Sequence, residues 1–198
     1  MTRRKESILE AAAILFARKG FNETSMSEVS KISGVAQGTI FYHFKSKEGL
    51  LLAILEDLKT RVLEAFEEFY RNENFSCGLE MVEGAIAFYL DLASRLEDRF
   101  MVLHRHISYE LALQNPGCRR CMEAIFDCFV DIFEQAIGQG QTDGSIVALP
   151  PKKAALILHT MVDGLVRLET YQLYEASSLY EELLELCRRM LANTVSTE

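Results

Sequence analysis

The first 115 residues of this 198-residue chain contain no proline, and the whole chain has only Pro116, Pro150 and Pro151. Proline breaks helix interiors, so long proline-free stretches rich in Leu, Ala, Glu, Ile and Phe favour helix over sheet. Apolar residues recur at three- and four-residue intervals. Ile8, Ala12, Leu15 and Phe16 mark one amphipathic segment, and Leu51, Ile54, Leu55, Leu58, Val62, Phe66 and Phe69 mark a longer one. The expected fold is all-α, with about nine helices. With 49% hydrophobic residues the chain can build a real core.

Local signals divide the helices. The first covers 3–19 and stops at Gly20. Ser25, with Glu28 three residues on, forms a capping box and starts a second helix, which Gly34 ends. Met26, Val29 and Ile32 should form its buried side. A third helix covers 37–44. Ser46 caps a fourth, over 47–71. Further helices are expected at 76–95, 98–114, 117–138, 151–173 and 177–193. The stretch "GQGQTDGS" (138–145) reads as a loop.

Charge is segregated. Residues 1–48 hold eight Lys/Arg against five Asp/Glu, while 49–198 hold thirteen against twenty-four, for a net −8. A basic head on an acidic body suggests that the head alone meets a polyanion. The expected domains are 2–62 and 63–198. The start, "MTRRKESILEAAAILFARKG", loosely imitates a signal peptide. Glu6, Glu10 and Arg18 flank its short apolar run, and the helical reading is preferred. No apolar run is long enough for a membrane span, so a cytoplasmic chain without a membrane partner is expected. Five cysteines, an odd count, argue against a disulfide framework.

A short capped helix, a glycine-containing turn and a second short helix make a helix-turn-helix over 25–44. The second helix of such a pair enters the major groove with its N-terminal residues at base edges. That places Gln37, Gly38 and Thr39 nearest the bases. Tyr42 and His43 suit phosphate, as do Ser25 and Lys47 at helix starts. Ile40, Phe41 and Phe44 are expected to face inward.

"TSMSEVSKISGVAQGTIFYHFKSKEGLL" (24–51) resembles the DNA-binding signature of TetR-family transcriptional regulators, and the first helix with Phe16, Gly20 and Phe21 fits the same pattern. The resemblance covers about 5–55. It implies a homodimer that binds a palindromic double-stranded DNA operator and leaves it when a small-molecule effector enters a helical regulatory domain. It also implies that the positions of Gln37, Thr39, Tyr42, His43 and Lys47 contact DNA. Two departures matter: Ala36 stands where a capping serine is frequent, and Phe41 stands where a tyrosine is usual.

The helix "AALILHTMVDGLVRL" (154–168) is apolar nearly all round, which calls for burial on more than one side. Leu158, Met161, Val162, Leu165, Leu183, Cys187 and Met190 are the expected dimer interface, with a deep intramolecular core as the alternative. Phe88, Tyr89, His104, Phe126, Phe129, Phe133 and Met161 are candidates to line an effector pocket. His159, Asp163 and Arg167 form a polar line read as an interface or shared pocket edge. Cys118, Cys121 and Cys128, with His104 and His106 nearby in sequence, keep open an alternative: an interaction protein or a thiol or metal sensor on the same scaffold. The preferred reading has no metal and no cofactor. No phosphate loop, nucleophile triad or paired-carboxylate motif suggests an enzyme.

Overall fold

The computed structural model describes residues 3–72 and 74–193, with the side chains of all but 72, 176 and 177. The expected domain limits at residues 2 and 198 lie outside the described residues. Within them the chain is all-helical: α1 (Arg3–Arg18), α2 (Met26–Ser33), α3 (Gln37–Phe44), α4 (Lys47–Asn72), α5 (Gly78–Arg95), α6 (Glu97–His104), α7 (His106–Gln114), α8 (Pro116–Asp143), α9 (Pro151–Thr170) and α10 (Tyr180–Leu191). A 3-10 turn, Ala176–Leu179, precedes α10. The helices gather into two compact units, one of residues 1–62 and 96–125, the other of 63–95 and 126–198.

In the first unit, α1 packs on α2 and α6, and α2 packs on α3. Its core takes in Ile8, Leu9, Phe16, Val29, Ile40, Leu50, Leu51 and Leu55, all fully or almost fully buried. Asp57 on α4 accepts from Arg61 at 2.9 Å and from Arg99 on α6 at 2.7 Å. Asp57 and Arg99 are largely buried. Removing one partner of such a pair strands the other charge, so the pair fixes how α6 sits on α4.

The expected helix over 98–114 is two helices. Arg105 between them is extended (φ −69, ψ 141). Nothing local dictates this break. The Arg105 guanidinium donates to the carbonyl of Ala17, near the C-terminal end of α1, and the Ser108 hydroxyl donates to the Val102 carbonyl at 2.6 Å. These partners satisfy backbone groups that the break and the helix end expose. Among the described residues ten α-helices result, against about nine expected.

In the second unit, α9 and α10 both pack on α5. Tyr89 of α5 stacks on Phe129 of α8, centroids 3.8 Å apart and planes 9° apart. Arg188 of α10 makes a two-pronged ion pair with Glu83 of α5, at 2.6 and 2.8 Å.

The expected loop 138–145 is instead mostly helix, because α8 continues to Asp143. Gly140 within it serves packing. A Cβ on Gly78 would lie 2.0 Å from the backbone nitrogen of Gly140, and one on Gly140 would lie 2.5 Å from the Ile146 side chain. The Gln141 amide donates to the Val147 and Leu149 carbonyls, and Asp143 accepts from the Gly78 N–H at 2.7 Å. Glycine here lets the N-terminus of α5 touch α8.

Gly138 lies inside this helix with nothing near its Cβ position. Gly138→Ala should therefore raise stability by about 0.5–1 kcal/mol, as expected for an interior helix site. Gly78→Ala should lower it by about 1–3 kcal/mol through overpacking against backbone. Thermal melts of the two variants check both signs; a loop at 138 would show no gain from alanine.

Candidate nucleic-acid interface

The helix-turn-helix is built by local chemistry. Ser25 caps α2: its hydroxyl oxygen accepts from the Glu28 N–H at 3.2 Å, while its own N–H donates to the Glu28 carboxylate at 2.8 Å. Lys19, just after α1, pairs with the same carboxylate. Lys19 first, then the N–H and hydroxyl of Ser25, hold the Glu28 carboxyl at about 2, well below the usual range. Gly34 ends α2 in the left-handed region (φ 68), which glycine adopts without strain. The Ser30 hydroxyl donates to the Val35 carbonyl across the turn at 2.8 Å.

The roll of α3 follows from Ile40 and Phe44, one turn apart and both buried. Gln37, Gly38, Tyr42 and His43 are exposed, and Thr39 is half-buried. Phe41 corrects the inward assignment. At 39% exposure it lies outside, because it is four residues from Gln37 and shares its face rather than that of Ile40. Ile32 is also a correction, at 56% exposure. It sits in the last turn of α2, where the chain reverses at Gly34 and leaves its side chain uncovered. The sequence carried the signal for Phe41 in its spacing from Gln37.

Ala36 supplies no side-chain cap to α3; the Thr39 N–H donates to the Ala36 carbonyl at 2.9 Å, which leaves the N–H groups of Gln37 and Gly38 for an outside acceptor. Cations flank this face. Lys45 lies 5.2 Å over the Tyr42 ring and donates to the Tyr42 carbonyl at 2.8 Å. Lys47 lies 4.6 Å over Phe21 and donates to the Asn22 carbonyl at 3.3 Å. Ser25 is exposed at the start of α2. The whole first unit carries fourteen Lys/Arg against eleven Asp/Glu; the second carries seven against eighteen.

Residues 8–54 match the family model for bacterial regulatory proteins of the tetR family. An HTH-type transcriptional regulator from Bacillus subtilis, YfiR, is 29% identical over 174 residues, spanning 85% of this chain and 81% of the relative. The chain belongs to the TetR family of transcriptional regulators. Solved structures share the fold over nearly its whole length. A putative transcriptional regulator from Saccharomonospora viridis in complex with choline has a TM-score of 0.80 at 22% identity, covering 95% of this chain and 97% of that one. The regulator FadR from Bacillus subtilis in complex with stearoyl-CoA has a TM-score of 0.73 at 23% identity, covering 92% and 96%.

In this TetR-family chain, the candidate pocket residues are dispersed. Tyr89, Phe129 and Phe133 are buried and fill core. Phe126 and Met161 are half-buried, and Phe88 lines a groove with Phe69 and Phe75. His104 is buried in the first unit, beside Phe100, while the other six belong to the second. The polar line on α9 is not an outer edge. Asp163 accepts from the Tyr89 hydroxyl at 2.8 Å and pairs with Arg167 at 3.2 Å, and His159 lies parallel to Tyr89. It faces the aromatic core of the second unit.

Of the candidate interface residues, Leu158, Val162, Leu183 and Cys187 are buried within the protomer, Met161 and Leu165 are half-buried, and Met190 is exposed. The open faces of α9 and α10 carry Leu156, Ile157, Leu186 and Met190. Cys118 and Cys121 lie in the first unit and Cys128 in the second. Burial pushes the thiols of Cys121 and Cys128 up to about 12, helped by Glu56 and Asp131 respectively. Among the described residues no cluster of His, Cys, Asp and Glu could hold a metal ion, and no helix is long and apolar enough to cross a membrane.

Ser25→Ala should cost about 1 kcal/mol of stability. Because the folded Glu28 carboxyl sits below its unfolded value of 4.5, its contribution is full above that pH and is lost as pH falls through about 2. The melting difference between the native chain and Glu28→Gln should shrink over that window; a constant difference would contradict the capping geometry. Thiolate is the reactive form. Disulfide-exchange reagent should modify Cys77 in the native protein and reach the four buried cysteines only on unfolding; rapid labelling of Cys121 or Cys128 would contradict their placement.

Proposed function

We propose that the chain is a homodimeric repressor that reads a palindromic operator through α3 and is released by a small-molecule effector. The observation that carries this reading is the outward face of α3: Gln37, Gly38, Phe41, Tyr42 and His43 exposed above an uncapped helix start, on the net-basic unit. Gln37 can pair with adenine through both ends of its amide. Gly38 permits close approach, and Thr39 offers a methyl to thymine or a hydroxyl to phosphate. Tyr42, His43, Ser25 and Lys47 are assigned to phosphate contacts, which set register, while base contacts set sequence. Phe41 cannot donate a hydrogen bond where a tyrosine could; its ring is suited to a thymine methyl.

Dimerisation is assigned to the open faces of α9 and α10, where Ile157 and Leu186 are each more than half exposed. Exposed large apolar side chains on the two helices are suited to an association surface. The complexes with choline and stearoyl-CoA of two structural relatives support a ligand-responsive second unit here. Helix α4, continuous from Lys47 to Asn72, is common to both units and is the element through which a ligand would act on DNA affinity.

Operator fragments selected from genomic DNA with the full chain test this reading. Thr39→Ala combined with Tyr42→Phe should weaken binding about a hundredfold, since each lost hydrogen bond to a charged phosphate is worth about 1.5 kcal/mol. Lys47→Ala should lower the slope of log affinity against log salt by about one. Binding that ignores sequence, salt and these substitutions alike would overturn the assignment.

A further inference from the structure

A groove of about 650 Å³ opens in the second unit along the C-terminal part of α4, Phe75 and α5. Phe69, Phe75 and Phe88 wall it, with Phe69 centred 5.5 Å from Phe75 and 4.8 Å from Phe88. The Phe75 ring rests on Gly84, where a Cβ would come within 2.5 Å of it. Any side chain at 84 would therefore push that wall aside. The groove's charged residues are Glu68, Asp91 and Arg95. Asp91 and Arg95 pair at 2.8 Å, both more than half exposed. Glu68 has no ion-pair partner among the described residues.

A smaller cavity of about 260 Å³ shares Phe75 with the groove and is lined also by Tyr70, Ser76, Cys77, Met81 and Gln139. The Tyr70 hydroxyl is buried and makes no hydrogen bond among the described residues. Burial, then Cys128 and Asp131, push its ionisation well above the usual tyrosine value. The hydroxyl thus stays neutral, in surroundings that resist a further negative charge.

We propose that the groove binds an organic cation, an onium or protonated amine on an apolar body, with its charge over the phenylalanine rings and beside Glu68 and Asp91. Aromatic faces attract cations through the ring quadrupole, more strongly when water is excluded. A neutral apolar ligand would leave the Glu68 carboxylate without a counter-charge, and would gain nothing from it. An anion would meet a rim with two carboxylates against one paired guanidinium, on a unit with eighteen acids and seven bases. That excess steers cations toward the groove and anions away. The inference rests on the reading of the second unit as ligand-responsive, and it narrows the ligand to one chemical class.

The test uses the full chain and two probes of nearly equal size and shape but opposite charge, tetraphenylphosphonium and tetraphenylborate, titrated by calorimetry. The phosphonium should bind at least about tenfold more tightly than the borate. Glu68→Gln with Asp91→Asn, both at exposed positions and not expected to alter melting, should remove most of that preference. Phe88→Ala should weaken phosphonium binding about tenfold. Equal binding of the two ions, a preference for the borate, or phosphonium binding untouched by the carboxylate pair would overturn the proposal. Operator affinity measured in parallel separates the two readings. Phosphonium binding that leaves DNA affinity unchanged supports the site and rejects its regulatory role, whereas intact operator binding without phosphonium binding rejects the site and leaves the DNA reading standing.

Discussion

Burial of Ile40 and Phe44, one turn apart on an eight-residue helix, sets the roll of α3, and the outward face depends on that roll. With those two side chains in the core, helical geometry sends Gln37, Phe41, Tyr42 and His43 outward without further instruction. The turn before α3 has to deliver it at one angle. The Ser25–Glu28 box fixes where α2 begins, and the left-handed Gly34 fixes where it ends. Lys19 ties the box to α1 through Glu28. A change in any of these would turn the reading face as a block.

Charge divides the chain as sharply as packing does. The first unit is net basic and the second strongly acidic. A uniformly acidic protein would be repelled by DNA at every orientation; segregation leaves the net-basic unit able to approach. The same acidity that keeps the second unit off DNA makes its phenylalanine groove a place for cations. In the proposed reading, one distribution of charge serves two different partners.

The helix-turn-helix was legible because its signals are local. A capping box, a terminal glycine and i,i+4 spacing act within a few residues, and α3 runs over 37–44 as its sequence suggests. What escaped was set by distant partners. The break at Arg105 reflects a hydrogen bond to Ala17, far away in sequence. The glycines of 138–144 look like a loop, yet Gly140 makes room for the Ile146 side chain, and its backbone is met by Gly78 from far away in sequence. Phe41 sits among apolar neighbours in sequence, yet its spacing from Gln37 points it outward. Aromatic content also cannot say whether a ring lines a space or fills one: Tyr89 and Phe129 stack on each other, while Phe75, at the foot of α5, walls a groove.

The central claim is that two copies of α3 occupy successive major grooves of one operator. Hydroxyl-radical footprinting of the full chain on a selected fragment tests it most directly. The account predicts two symmetric sets of protections, with half-sites separated by one helical turn of about 10 base pairs or a multiple of it. A single protected patch, or protection spread evenly along the fragment, would contradict it.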